Sequence, residues 1–354
     1  MKYPLIEVNL TKLEHNVRTL NGVCKAHKIN TMAVTKCFCA LEPMVEAVVA
    51  GGVDFLADSR IENLERMKGF DLPKVLLRLP MASEVERVVA AADISNNSEL
   101  ATLRLLDVEA ARQGKTHGVI LMVDLGDLRE GVWPTEVDAT VEEILKLGHI
   151  RLVGVGVNLT CYGGVIPDES NLGKLCDIAA GIEAKFGIQL DIVSGGNSSS
   201  LYLLNKNRMP ARVNNLRPGE AYLLGRETAY GENIPNTHPD VFTFKAQIIE
   251  LKEKQSVPIG EIGMDAFGNK PTYTDRGIRK RAILGVGRQD VNPASLTLKD
   301  EGIIILGASS DHLILDVTDA AKAYQVGDVV EFGVDYGSLL QLMTSEYIGK
   351  QMVK

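Results

Sequence analysis

The first two-thirds of the chain repeats one unit: a short apolar run, a polar loop, then apolar residues at helical spacing. Eight runs follow this pattern: Thr31–Val34, Asp54–Ala57, Val75–Leu79, Ala92–Ile94, Val119–Val123, Leu152–Val157, Leu190–Val193 and Val213–Leu216. Alternation of strands and helices predicts a parallel sheet. Eight units within about 200 residues favour a closed (β/α)8 TIM barrel over an open, doubly wound sheet.

The rhythm of the sequence changes near Phe242. The segments FTFKAQIIEL, RAILGVG, GIIILGA, LILDV and DVVEFGV are strand-like, and Gly and Asp turns separate them at short spacing. This pattern predicts a C-terminal all-β domain. Pro235 and Pro239 mark the expected boundary, so we predict a barrel domain over residues 1–234 and a β domain over 235–354.

Composition excludes several classes of protein. The 38 Lys and Arg residues against 46 Asp and Glu give a net charge of −8, which argues against a general binder of nucleic acid or anionic membranes. No apolar run reaches the roughly 18 residues of a membrane helix, and MKYPLIEVNL does not have the pattern of a signal peptide. Five cysteines are too few for a secreted disulfide framework. We expect a soluble cytoplasmic protein with reduced thiols.

Function in a barrel gathers where strands end on the carboxyl-terminal face. Lys36 directly follows the first apolar run. Among apolar walls its pKa would fall by desolvation, as Schiff-base chemistry requires. The alternative is a lysine at the rim whose stem packs on apolar surface while its ammonium reaches water.

Two further loops carry ligand-binding signals. The run SGGNSSS, residues 194–200, leads into a helical stretch, and its backbone N–H groups and hydroxyls suit a phosphate; a surface turn with a capping serine is the alternative. Arg217-Pro218-Gly219 is a second piece of such a cradle or only a turn. Cys37 and Cys39 lack partners at metal-ligand spacing and the histidines are scattered, so no metal site is expected. Neither GxGxxG nor a Walker motif is present.

Together, these motifs resemble the alanine racemase-like, fold-type III enzymes that use pyridoxal 5'-phosphate (PLP). The resemblance rests on the lysine after the first strand, the Asn-Ser turn after the seventh, Arg-Pro-Gly after the eighth and a trailing β domain, and it covers nearly the whole chain. LRPGEAYLLGRE and RGIRKRAILGVGRQD look most like ornithine racemases. PLIEVNLTKLEHNVRTL looks like the first strand and helix of the family, which implies that residues 1–10 pair with the β domain.

The resemblance also implies site residues. Lys36 would carry the cofactor and exchange the proton at the substrate Cα of the external aldimine, Arg129 would help to position cofactor and substrate carboxylate, and Asp311 would reach across a head-to-tail homodimer. The expected cofactor contacts are Lys36, Asn158, Asn197, Ser198, Arg217, Gly219, Glu220 and Tyr336. Arg217 would face the pyridine nitrogen, and because an arginine does not readily give up its proton, that nitrogen would stay unprotonated.

The chain departs from the family pattern at several positions. The tyrosine four residues after the lysine is Ala40 here, the lysine that alanine racemases often carbamylate falls at Met122, and a family histidine falls at Asn158. The tyrosine that serves as the second base falls at Phe267, or at Ile259 if the gap is moved. The candidate replacements for that base are Tyr273, Cys161, Tyr162 and His312.

These features favour a PLP-dependent racemase that interconverts L- and D-ornithine, and also lysine. A cationic substrate tail needs a carboxylate, and the sequence offers four: Asp127, Glu130, Glu220 and Asp311. An alanine or serine racemase, a D-threonine-aldolase-type lyase and a non-enzymatic PLP-binding protein are the alternatives. The lyase would want a metal, and the PLP-binding protein would lack the β domain. No nucleic-acid or membrane partner is expected.

Overall fold

The computed structural model describes residues 2–354 and divides them into two compact units. One unit spans Thr11–Pro239, and the other combines the segment ending at Leu10 with Asp240–Lys354. The division therefore falls at Pro239, five residues beyond the predicted boundary at 234. The reason is local: Asn16 Nδ2 donates to the His238 carbonyl (2.8 Å), and the His238 N–H donates back to Asn16 Oδ1 (2.7 Å).

The first unit is a closed barrel of eight parallel strands, as the sequence predicts. After β1 (Leu5–Asn9), which belongs to the other unit, the barrel strands are β2 (Asn30–Val34), β3 (Phe55–Asp58), β4 (Lys74–Leu76), β5 (Ile94–Asn97), β6 (His117–Met122), β7 (Ile150–Gly156), β8 (Ile192–Asn197) and β9 (Asn215–Arg217). Each pairs in parallel with the next, and β9 pairs with β2, with Leu216 opposite Thr31.

Helices of very different length precede, connect and follow the barrel strands. They are α1 (Leu10–Ala26), α2 (Glu42–Ala50), α3 (Ile61–Arg66), α4 (Val85–Ala91), α5 (Leu100–Arg112), α6 (Val137–Ile144), α7 (Glu169–Phe186), α8 (Leu201–Asn205) and α9 (Glu220–Leu224). On α1 the 3–4 spacing of Leu13, Val17 and Leu20 places all three on one buried face. Among residues 2–354, no helix combines the length and the apolarity that crossing a bilayer requires.

Apolar side chains from seven of the eight strands fill the barrel. The cluster contains Met32, Ala57, Val75, Ile94, Ile120, Met122, Val153 and Ile192. Met122 is fully buried in it. The position at which the family pattern has a lysine is therefore occupied here by a side chain of the apolar core.

The second unit is a mostly antiparallel sheet with one helix. It comprises β10 (Phe242–Gln255), β11 (Ile278–Leu284), β12 (Leu296–Leu298), β13 (Ile304–Ala308), β14 (Leu313–Asp316), β15 (Val329–Val334), α10 (Tyr336–Thr344) and β16 (Gly349–Val353). The strand order is β12-β15-β10-β11-β14-β13. β1 pairs antiparallel with β10 and parallel with β16, so residues 5–9 form part of this sheet. The five strands predicted from the sequence are all present.

A buried histidine on the outer side of the barrel makes stability depend on pH. His117 is 2% exposed, its Nε2 lies 2.8 Å from Ser95 Oγ, and Asn97 Nδ2 donates to the same hydroxyl (2.9 Å). Burial lowers the pKa of His117 to about 4. The imidazole is therefore neutral near pH 7 in the folded protein.

We predict that acid destabilises the protein partly through this residue. As pH falls below about 6.5, His117 is protonated in the unfolded chain but stays neutral in the folded protein. The free energy of unfolding therefore decreases by roughly 3 kcal/mol between about pH 6.5 and about pH 4. His117→Gln retains a partner for Ser95 but does not titrate. Its free energy of unfolding, measured with urea at several pH values, should fall less steeply with acid than that of the wild type. Parallel curves would contradict this.

Candidate active site

Polar side chains from five strands meet at one end of the barrel. Lys36 follows β2, Arg129 follows β6, Asn158 follows β7, Asn197 ends β8 and Arg217 ends β9. Because parallel strands in a closed barrel all end on the same face, these residues share that face. The polar residues that follow the strands in the sequence therefore form one candidate site.

Lys36 begins a short 3₁₀ turn, Lys36–Phe38, whose other two residues are buried. Lys36 itself is exposed. The expectation that apolar walls remove its amine from water is therefore wrong. The alternative, a rim lysine whose ammonium reaches water, describes its position better. Within residues 2–354 its Nζ makes no hydrogen bond and no ion pair, which leaves the amine available for covalent chemistry.

The Gly/Ser loop forms a compact turn at the end of β8. Asn197 Oδ1 accepts from the Ser199 N–H (2.8 Å), which caps the 3₁₀ turn Ser198–Ser200. Asn197 Nδ2 donates to the carbonyl of Leu159 (3.0 Å) after β7. The loop is therefore fixed both to itself and to the neighbouring strand end.

Two backbone donors converge on this loop from the end of β9. The N–H groups of Gly219 and Ala221 both donate to Ser198 Oγ (3.2 Å each). The expectation that the backbone at Gly219 and Glu220 holds a phosphate stays a prediction. The hydrogen bond from Ala221 to Ser198 Oγ is a contact that the spacing of the Arg-Pro-Gly motif could not show. The buried Ser199 Oγ has no partner among residues 2–354. The Ser198 hydroxyl, which accepts both of these hydrogen bonds and can donate its own proton, and the Ser199 hydroxyl suit a phosphate.

Arg217 is a fixed cation inside the barrel wall. It is 4% exposed, Nη1 donates to Ser194 Oγ, and Nη2 donates to the Val157 carbonyl (2.7 Å). Burial lowers its pKa to about 10, so the guanidinium remains protonated at neutral pH. Ser194 Oγ in turn donates to Asn215 Oδ1 (2.6 Å). The Arg217 side chain therefore has little freedom to move.

Arg129 is held differently, by a carboxylate. Its Nη2 donates to Glu130 Oε1 (2.5 Å) and its Nε donates to the other oxygen of Glu130. Hydrogen bonding to Glu130 raises the pKa of Arg129. The Asn158 amide lies 3.2 Å from Asn197 Nδ2. When this amide is rotated by 180°, its oxygen accepts from both terminal nitrogens of Arg129, at 3.1 and 3.2 Å. Asn158 therefore lies between Arg129 and the Gly/Ser loop.

The four carboxylates considered for a cationic substrate tail have different surroundings. Asp127 is buried and accepts from the N–H groups of Thr160 (3.0 Å), Tyr162 (3.1 Å) and Val165 (3.2 Å). Its carboxylate shapes the loop after β7 in this structure, and its role as a tail-binding candidate stays a prediction. Glu130 pairs with Arg129.

Glu220, the next candidate, accepts from Arg226 Nη2 at 3.0 Å. Asp311 lies in the β unit, where its Oδ1 is 2.8 Å from His312 Nδ1 and both side chains are exposed. Tyr336, the expected phosphate-binding tyrosine, is the first residue of α10 in the same unit.

The β10–β11 connection contains the positions that replace the family's second base. Ile259 is 93% exposed, and Phe267 and Tyr273 are also exposed. The Arg288 guanidinium lies over the Phe267 ring, 4.8 Å from its centre. A cation on an aromatic face is a packing contact, and it gives Phe267 no means to move a proton.

Comparison with known proteins places this barrel in a defined class, the alanine racemase-type (β/α)8 barrel. The family model described as "Alanine racemase, N-terminal domain" matches residues 8–226. The chain belongs to the alanine racemase family.

Individual relatives cover the chain almost completely. It is 53% identical to ornithine racemase of Acetoanaerobium sticklandii over 99% of this chain and 100% of that protein, and 40% identical to lysine racemase of Thermotoga maritima over 99% and 98%. The structure of alanine racemase from Bartonella henselae, solved with covalently bound pyridoxal phosphate, matches with a TM-score of 0.76 at 18% identity and full coverage of both chains. That structural likeness shows the shared fold.

The geometry of the Gly/Ser loop depends on Gly196. Its φ is +110°, and a Cβ placed there would lie 2.9 Å from Ser200 Oγ. The same hydroxyl donates to the Gly195 carbonyl (2.6 Å). A side chain at Gly196 therefore strains the backbone and disturbs this hydrogen bond.

We predict that Gly196→Ala lowers the free energy of unfolding by about 1–3 kcal/mol. Gly181→Ala is the matched control: Gly181 lies within α7, where an added Cβ would meet nothing within 4 Å, so alanine should stabilise the helix by about 0.5–1 kcal/mol. Urea unfolding of both variants measures the difference. Equal stability of the two would show that the loop does not require glycine.

Proposed function

We propose that this protein is a PLP-dependent racemase that interconverts L- and D-ornithine. The observation that carries the proposal is the presence, at one end of the barrel, of an exposed lysine amine and a separate cluster of donors suited to phosphate. The 53% identity to an ornithine racemase over the whole chain supports the choice of substrate.

The donor set fits this cofactor. Lys36 would bond to its aldehyde carbon, and Asn197, Ser198 and the backbone at Gly219 and Glu220 would hold its phosphate. A side chain at Gly219 would be crowded, because its Cβ would lie 3.1 Å from Val34 Cβ on the strand that leads to Lys36. Glycine therefore lets the two segments approach each other closely at this point. When bound, PLP supplies the electron sink that acidifies the substrate Cα–H bond.

The chain's own residues supply binding and proton transfer. The Lys36 amine takes the proton from Cα on one face and can return it there. Arg129, oriented by Glu130, would bind the substrate carboxylate. Arg217 donates hydrogen bonds but does not give up a proton, so a nitrogen that it contacts keeps its lone pair. Tyr336 is proposed to contact the phosphate, and Asp311 to reach across a head-to-tail homodimer, in the cytoplasm.

We predict that the purified protein with added PLP has a yellow, visible absorption band that Lys36→Ala abolishes. The reason is that the Lys36 amine is the proposed point of attachment. Lys68→Ala, at an exposed lysine on the helical side of the barrel, should retain the band. A wild-type protein without the band would refute the proposed function.

We predict that solvent deuterium enters the Cα position of L- and D-ornithine fastest, followed by lysine. Mass spectrometry after incubation in heavy water with ornithine, lysine, alanine or serine ranks the substrates, because exchange at Cα reports proton transfer directly. Exchange with alanine or serine but not ornithine would replace the substrate assignment with the alternative racemase, while leaving the cofactor assignment intact.

A further inference from the structure

The turn that carries Lys36 has an unusual backbone. Cys39 and Ala40, neither of them glycine, have φ values of +54° and +50°. Consecutive residues of this kind are rare in the left-handed region, and such conformations persist only where the surroundings fix them. The residues that hold this turn therefore determine where Lys36 lies.

Both ends of the turn are tied to the segment around α3. At the front, Thr35 Oγ1 donates to Asp58 Oδ2 (2.6 Å). At the rear, Arg66 Nη1 donates to the Cys39 carbonyl (2.9 Å). Lys36 lies between these two attachment points.

Asp58 is the centre of this arrangement. It is fully buried, and its Oδ1 accepts from the Arg60 N–H (2.9 Å) and from Asn63 Nδ2 (3.1 Å). Asn63 Oδ1 lies 3.5 Å from Arg66 Nη1, so side chains of one segment hold both ends of the turn. Burial raises the pKa of Asp58, and the hydrogen bond from Thr35 opposes that rise.

The opposite end of the same two strands offers an internal comparison. There the Thr31 N–H donates to Asp54 Oδ2 (2.8 Å), and Thr31 Oγ1 donates to Asn21 Oδ1 (2.8 Å) and lies 3.4 Å from Asp54 Oδ2. This threonine–aspartate pair lies at the amino-terminal end of the two strands, whereas Lys36 follows the carboxyl-terminal end of β2; Asn21 Oδ1 also accepts from Tyr222 Oη (2.8 Å). A substitution in this pair therefore serves as a control, because it removes a buried threonine hydroxyl at the end of the strands that does not carry Lys36.

We propose that Asp58 is a positioning residue for Lys36, acting through the hydroxyl of Thr35, and that Asn63 and Arg66 fix the other end of the same turn. The proposal rests on the assignment of Lys36 as the cofactor lysine under the proposed function. Asp58 and Thr35 do not contact the reacting atoms; they set the place and direction from which the amine acts.

The test compares Thr35→Val and Asp58→Asn with the control Thr31→Val in the full-length protein loaded with PLP. Thr35→Val keeps the side-chain shape and removes the donor. We expect its kcat for ornithine racemisation to fall about 10- to 100-fold with KM near wild type, because misplacement of a reacting group acts on the chemical step. Thr35→Ser, which restores the hydroxyl, should recover most of kcat. Thr31→Val should keep wild-type kcat.

A second readout is independent of turnover. Apoprotein mixed with PLP should recover its visible band more slowly in Thr35→Val and Asp58→Asn than in Thr31→Val. The thermal midpoints of Thr35→Val and Thr31→Val should fall together, because each variant loses a buried hydroxyl that has two polar neighbours. These are Asp58 Oδ2 (2.6 Å) and the Ala57 carbonyl (3.3 Å) for Thr35, and Asn21 Oδ1 (2.8 Å) and Asp54 Oδ2 (3.4 Å) for Thr31. Equal kcat and equal band recovery in these two variants would overturn the proposal, whereas a wild type without the band would refute the proposed function instead.

Arg66→Gln keeps the proposal testable if Thr35→Val does not fold. Arg66 is exposed, and its replacement removes the bond to the Cys39 carbonyl without opening the core. We expect lower kcat and slower band recovery in this variant as well. Wild-type values in Arg66→Gln, with Thr35→Val unfolded, would overturn the proposal.

Discussion

Closure of the parallel barrel is the constraint on which the candidate site depends. Because β9 hydrogen-bonds to β2, the last strand of the unit lies beside the first, and the Val34 N–H donates to the Pro218 carbonyl (3.0 Å). This contact brings the segment after β9 next to the one that leads to Lys36. All strands run in one direction, so polar residues far apart in the chain share one end of the barrel.

The two arginines of the site illustrate two ways to hold a cation. Arg217 is buried against neutral oxygens of Ser194 and Val157, and desolvation lowers its pKa. Arg129 is more exposed and faces the carboxylate of Glu130, which raises its pKa. The first arrangement fixes a donor rigidly in the wall, and the second offsets the charge while leaving the edge of the guanidinium directed at Asn158.

Much of the fold was predictable because the spacing of apolar residues along the chain indicates which segments form strands and which form helices. Each of the eight apolar runs overlaps a barrel strand, although the third strand ends at Leu76 rather than Leu79 and the fourth run shares only Ile94 with β5. Hydrogen-bond partners were less predictable: Asp127 has the sequence context of an available carboxylate, yet the fold uses it to bind three backbone N–H groups. Asp58 was missed, although it directly follows the second run and the same rule for strand ends would have found it.

The sequence by itself determined the barrel, the all-β unit, the family and the position of Lys36, because strand periodicity and short motifs are local properties of the chain. Only the tertiary structure decided that the Ser198 hydroxyl meets the N–H groups of Gly219 and Ala221, and that Thr35 meets Asp58. These contacts join segments that lie on neighbouring strands. Their geometry is set by strand adjacency and register, which spacing along the chain does not specify.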